Sequence, residues 1–450
     1  MNIVFLPINL FVKYAEQKKR IMNRYQYIFA IIFSLILVTI PINVDAQKNI
    51  SGTVELAHKE LWNKFIDKYG IINDFVGETP TPEDCTLGKP NAIGWWSPIE
   101  NGPMFSGMYL QAMCERAKRT NNPADLANAK RLSQGLVKCA SISDVPGFIG
   151  RGIGSDGKCH YPLGSDDQTH PWFLGLHAYY MSGIPTKSEK KEISSKMKEV
   201  ANVLEANSWC PPCDGAFKGQ FRGSFTGNLF RDAARYLFML RAMYDVTKEE
   251  IWMDRYRKAL AEKPEQATKT RLEICAEGYL QDTLKIKGIN IWSLWIYVGS
   301  QQSLASLIKM ESDPSIVAKY RQGLENNVNY CLPSVEGYKS FDNNDTKVFG
   351  HANWREAYPV WFPQPTQAEA QRLSSLGNKE KMGERKGYEA RFMRNPLAAS
   401  AIAAFSQDPS HQEMVKKAIS HYDYAKINIG TENINFVLVA DTHYSENKWD

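Results

Sequence analysis

Apolar side chains recur at helical spacing almost throughout this 450-residue chain, which restricts it to architectures that pack helix on helix. In "SEKKEISSKMKEVANVLEAN", Ile193, Met197, Val200 and Leu204 fall on one helical face. Thr186 with Glu189 forms a capping-box start, and Asn122 with Pro123 gives a cap followed by a first-turn proline. After that second start, Leu126, Ala129, Leu132 and Leu136 repeat in register. Leu229, Ala233, Leu237, Leu240 and Tyr244 align in the same way. Further helices are predicted near 53–69, 104–120, 168–183, 290–309, 314–330, 365–376, 394–406 and 410–423, with weaker ones near 248–260 and 271–283. Short links alternate with long ones rich in Gly, Pro and aromatic residues, and no sequence repeat or Pro/Ser linker divides the chain. The expectation is an all-α fold, a single α/α toroid of about six helical hairpins over residues 47–450 with short strands in its loops. An open solenoid is the alternative, but its repeat signature is missing.

Residues 1–46 read as a segment removed before folding. "KKRIMNRYQY" is a basic leader, and "IFAIIFSLILVTIPI" is an apolar run of about fifteen residues, short for a membrane span. "VDAQ" places small residues around Ala46, as a signal peptidase requires, and Met22 could serve as the start. The expected location is periplasmic or secreted, with no stable membrane insertion after cleavage. The formal charge of the whole chain is +5; without the leader's five basic and two acidic residues it becomes +2. So small a charge excludes the footprint of a nucleic-acid binder.

Eight cysteines permit disulfides without fixing a pairing. "SWCPPCDG" resembles a redox dithiol, but Pro211 and Pro212 follow a helical pattern where a reactive dithiol needs a helix N-terminus. A local disulfide or two structural thiols is expected. No second ligand pair completes a zinc site, so neither metal nor cofactor is expected.

Chemistry concentrates in the loops. "SDGKCHYPLGSDDQTHPWF" holds Asp156, His160, Tyr161, Asp166, Asp167, Gln168, His170 and Trp172, with Arg151 just upstream. Adjacent carboxyls such as Asp166 and Asp167 cannot both ionise cheaply in a pocket, so one is a candidate acid. The plainer reading makes one of them the cap of a helix starting near Thr169, and Asp156-Gly157 a turn. "IGWWSPIENGPMFSGMY" offers Trp95 and Trp96 as faces for sugar C–H groups and Glu100 at a helix mouth. "GHANWREAYPVWFPQP" offers Trp354 and Arg355, the latter suited to clamping a carboxylate. "KGQFRGSFTGNLFRDAARY" places Arg222 and Arg231 at another helix mouth, while Arg231, Asp232 and Arg235 read as a network on a helix surface.

On these residues the chain resembles the six-hairpin glycosidase superfamily, the α/α-toroid carbohydrate enzymes. The likeness is sharper from "WWSPIENGPMFSGMYLQAMCERA" through "DVPGFIGRGIGSDGKCHYPLGSDDQTHPWFLGLHAYYMSG", and extends more distantly to unsaturated glucuronyl and rhamnogalacturonyl hydrolases. Asp144 before Gly147-Phe148, Asp166 or Asp167 before Pro171, and Trp354-Arg355 are similar to motifs of those enzymes. The two acidic positions stand closer together here, and the His that precedes the first Asp in those enzymes is absent.

The resulting expectation is an exported glycoside hydrolase acting on an oligosaccharide, one with an acidic sugar among the candidates, by carboxyl acid–base chemistry. Asp166 or Asp167 would be the acid and Asp156 or Glu100 its partner. Arg151 and Arg355 would clamp substrate, Trp95, Trp96 and Trp172 would be platforms, and His160, Tyr161, Gln168 and Trp354 would bind. The alternatives are a polysaccharide lyase using Tyr161 or His160 as base, and a non-catalytic glycan-binding protein. The leader makes its own prediction. Mass spectrometry of the native protein should find a mature chain starting near Gln47, and retention of residues 22–46 would reject the export signal.

Overall fold

The computed structural model describes residues 50–86, 97–280, 282, 294–348, 366–369 and 383–445. The leader, Trp95, Trp96, Trp354, Arg355 and most of the expected helix at 365–376 lie outside the described residues. Ile50–Asp450 forms one compact unit. The fold is all-α. Among the described residues the only β pairings are isolated bridges, Ile66 with Ile72, Phe75 with Ile429 and Pro212 with Phe221. The short loop strands expected from sequence are therefore single bridges, because Gly- and Pro-rich connections cannot sustain a ladder.

Among the described residues the helices of seven residues or more are mostly of two kinds. Six are enclosed by protein on nearly every side: α2 (Gly102–Thr120), α4 (Asp166–Met181), α6 (Phe230–Thr247), α9 (Val298–Met310), α12 (Asn395–Ala403) and α14 (Gly430–Ser445). In α12 every residue is buried. The others bury one stripe: α1 (Ile50–Lys64), α3 (Pro123–Cys139), α5 (Lys187–Ala206), α7 (Glu250–Ala261), α8 (Arg271–Glu277), α10 (Pro314–Val335) and α13 (Pro409–His421). α5, for example, turns Ile193, Met197, Val200, Ala201 and Leu204 inward and its lysines outward. Between α10 and α12, α11 (Gly383–Glu389) passes through a π turn, Ala390–Arg394, directly into α12.

Each enclosed helix packs on the next. α2 lies against α4, α4 against α6, α6 against α9, α9 against α12, α12 against α14, and α14 against α2. The one-stripe helices back them: α3 on α2 and α4, α5 on α4 and α6, α7 on α6, α10 on α9 and α12, α13 on α12, and α1 on α14.

Local signals explain most boundaries. The Thr186–Glu189 capping box and the Asn122 cap form as the sequence indicates. α8 stops at Glu277 because Gly278 turns left-handed with φ 78°, earlier than the period suggested. α4 starts three residues before Thr169. Its cap is Ser165, whose hydroxyl accepts from the Asp167 N–H, so neither aspartate is the cap. The helix then continues through Pro171, giving up only the bond that residue's N–H would have made. α14 has no counterpart in the periodicity, because a helix buried all round carries no amphipathic stripe.

α2 crosses α4 at close range. A Cβ on Gly175 would fall 2.7 Å from the Gly107 carbonyl oxygen, and one on Gly107 would intrude on the Pro171 carbonyl. Gly107→Ala should therefore overpack the crossing and cost about 1–3 kcal/mol. Urea unfolding of variant and parent checks this, and equal midpoints would refute the close approach.

Candidate active site

The first turns of the six enclosed helices are joined by polar links that close on themselves. Asn101, before α2, accepts from Gln168 Nε2 of α4 at 3.2 Å. Arg235 of α6 donates through Nη1 to Asp167 Oδ1 of α4 at 2.8 Å and through Nη2 to the Ile296 carbonyl, before α9, at 3.0 Å. Leu294 N–H donates to Asn395 Oδ1 of α12 at 3.4 Å. Arg394 Nε lies 3.5 Å from Glu432 Oε1 of α14. Gly430 N–H donates to the Asp74 carbonyl at 2.8 Å, and Asn101 Nδ2 donates to Asp74 Oδ1 at 2.8 Å. Polar side chains are drawn to this end because helix N-termini leave N–H donors unsatisfied and favour negative charge.

Asp166 and Asp167 stand in the first turn of α4, where both face Arg235, which lies 3.5 Å from Asp166 Oδ2. Arg235 is 1 % exposed, so its charge depends on these partners. The two carboxyls diverge. Burial, and then the charge of Asp167, push Asp166 above the usual carboxylate range. Asp167 feels burial too, but Arg235 and Arg231 outweigh it and hold the group low. The Asp167 side chain retains 28 % exposure, so the pair opens to solvent. The two adjacent carboxyls are thus pushed in opposite directions, Asp166 up and Asp167 down.

A third carboxyl joins them. Asp232 is pushed up to about 7, chiefly by burial, with Asp166 and Asp282 adding to it against Arg231 and Arg235. Elsewhere in the circuit of links, burial lifts Asp74 to about 6 and Glu389 to about 7, while burial and then Arg394 lower Lys386 to about 7. Lys386 is within electrostatic reach of Glu432, Asp74 and Glu100, which joins this group to the α2 end.

Several expected site residues are architectural. Asp156 is exposed and accepts the Lys158 and Cys159 N–H groups in a turn, so it is no partner for an acid. Arg151 is 4 % exposed and spends its guanidinium on the Leu163 carbonyl at 3.1 Å and Glu100 Oε1 at 3.1 Å, which removes it as a substrate clamp. Trp172 is fully buried and donates to the Leu136 carbonyl at 2.8 Å, so it has no face to offer a sugar. Gln168 is buried between Asn101 and the Met104 N–H. Tyr161 is buried against Ser97 Oγ, and His160 Nε2 lies 2.8 Å from Asp214. Asp144, with its side chain 84 % exposed, is paired with Lys218. Glu100 stays at the mouth, anchored by Arg151.

The Arg231, Asp232 and Arg235 group corrects the sequence reading. It is not a surface network: Asp232 is 6 % exposed and Arg235 is buried among the acids. Asp74, Asp282, Lys386, Glu389, Arg394 and Glu432 had no place in the expected site. The available signal was charge in the first turn of otherwise apolar helices, as in "FRDAAR" and "TENINF".

Cys210 and Cys213 are free thiols, and burial raises the Cys213 pKa, which fits the structural reading. Cys159 is disulfide-bonded. Among the described residues no helix is long and apolar enough to cross a membrane. No family model matches the chain, and no curated protein matches it.

Asp232 makes the mouth sensitive to pH. With a folded pKa near 7 against about 4 when unfolded, it contributes stability that is full below about pH 4 and lost as pH rises through 7. Asp232→Asn, permanently neutral, should lessen the fall in stability between pH 4 and 7. Urea unfolding at pH 4.5 and 7.5 measures the difference, and an identical fall in both proteins would reject it.

Proposed function

We propose that the chain is an exported glycoside hydrolase acting on an oligosaccharide, with its six enclosed helices closed into an α/α toroid. The closure is supported by the order of helix neighbours, in which α14 returns to α2, and by the circuit of polar links at the helix N-termini. Export is supported by the basic leader, the short apolar run and the small-residue cleavage site.

The observation that carries the activity is the split Asp166–Asp167 pair on one buried guanidinium. Asp166 holds a proton and delivers it to the glycosidic oxygen as the bond to the leaving sugar breaks. Asp167, ionised, stabilises the positive charge that develops on the sugar ring, and Asp166, left as a carboxylate, takes the proton of the water that replaces the leaving sugar. Asp232 lies within electrostatic reach of Asp166 and raises its proton affinity whenever it ionises. The lyase alternative loses its expected bases. Burial drives the Tyr161 phenol well above its ordinary range, and His160 is tied to Asp214.

The test is turnover on a panel of oligosaccharides, read as release of new reducing ends. Asp166→Asn should lower kcat by about a hundredfold or more, the scale of a positioned acid. Asp167→Asn should also slow turnover, and in addition lower stability, because it leaves Arg235 buried with a weaker partner. Full turnover in both variants would move the site elsewhere. A new conjugated double bond in the product would establish the lyase.

A further inference from the structure

"SWCPPCDG" opens a small hairpin that ends at Arg222. Cys213 N–H donates to the Gln220 carbonyl at 2.9 Å, and Arg222 N–H donates to the Pro211 carbonyl at 3.0 Å, around the Pro212–Phe221 bridge. Asp214 N–H donates to the Pro162 carbonyl at 2.6 Å, which fastens the hairpin to the loop before α4. The next residue, Gly223, has φ 81°, and its Cα faces the Asp166 carboxyl so closely that any Cβ would collide with it. The hairpin thus sets the backbone of Arg222 directly beside Asp166.

Among the described residues the Arg222 guanidinium has no acceptor. It is half-buried, its Nε is fully buried, and among the described residues it makes neither a hydrogen bond nor an ion pair. Its neighbours explain this. Glu100, Asp166 and Asp167 are within electrostatic reach, but Arg151 holds Glu100, and Arg235 holds Asp167 and faces Asp166 at 3.5 Å. Burial, and then the like charge of Arg151, lower the Arg222 pKa. A cation kept in such surroundings is costly unless an anion completes it.

We infer that Arg222 is the receptor for an oxyanion carried by the sugar substrate, a carboxylate or a sulfate, bound beside Asp166. This rests on the reading of the Asp166–Asp167 mouth as the sugar site, and it adds the substrate class. The planar fork of arginine suits either anion through paired N–H donors. The Cys-Pro-Pro-Cys stretch acquires a mechanical part. Its prolines stiffen the base of the hairpin that presents the guanidinium.

Calorimetric titration of the mature protein with glucuronate, glucose 6-sulfate and glucose tests the inference without requiring turnover. At least one of the two anionic sugars should bind roughly ten- to a hundredfold more tightly than glucose, the scale of a paired charge-assisted contact. Which of the two binds more tightly identifies the anion. Arg222→Gln should abolish that preference, and Arg222→Lys should restore part of it, with circular dichroism establishing that both variants are folded. Equal binding of all three sugars, or a preference that survives in folded Arg222→Gln, overturns the inference while leaving the hydrolase reading intact. Anion binding through Arg222 with no turnover of any glycan supports the inference and rejects the hydrolase.

Discussion

Burying six helix N-termini against one another is the constraint on which the rest of the molecule depends. Each brings N–H groups with no partner in their own helix, and each is too enclosed for water to satisfy them all. The chain answers with side chains that bridge one helix start to the next, from Asn101 and Gln168 through Asp167 and Arg235 to Arg394 and Glu432. Several of those bridges must be charged, because a guanidinium such as Arg235 reaches two neighbours at once. Charge held in poor solvent then shifts its neighbours' proton affinities, and Asp166, Asp232, Glu389 and Lys386 all leave their ordinary ranges. The chemistry proposed for the mouth follows from the way the helices are packed.

The division of labour between helices has the same origin. Outer helices face water on one side, so they carry lysines and glutamates there and an apolar stripe inward, as α5 does. Enclosed helices have no such side. They approach closely through small residues, as Gly107 and Gly175 let α2 and α4 do, and they keep polar residues at their ends. The cost falls on stability: buried carboxyls that hold protons weaken the fold as pH rises.

The loop that is richest in titratable and aromatic residues turns out to be largely scaffolding. Arg151 ties the loop to Glu100, Tyr161 meets Ser97, His160 meets Asp214, and Trp172 closes the space beneath α3. Only its last residues, Asp166 and Asp167, join the circuit of helix N-termini, at Arg235. A connection made of turns cannot satisfy its own backbone or bury much apolar surface, so it uses polar side chains and rings to hold its shape. That requirement and catalysis leave the same mark on a sequence.

Sequence alone determined the all-α class, the one-stripe helices and their caps, because period and capping chemistry are local properties of the chain. It also isolated the Asp166–Asp167 pair, since two adjacent acids at a helix start conflict wherever they are placed. Tertiary structure alone decided which of the two is pushed up and which down, because that depends on Arg235, 68 positions from Asp167, and on depth of burial. It alone revealed α14, whose all-round burial erases the periodic signal, and moved Arg231, Asp232 and Arg235 from an expected surface into the site. It also left Arg222 without an acceptor among the described residues, a property that no residue type or spacing encodes, because it depends on Arg151 and Arg235 having taken Glu100 and Asp167.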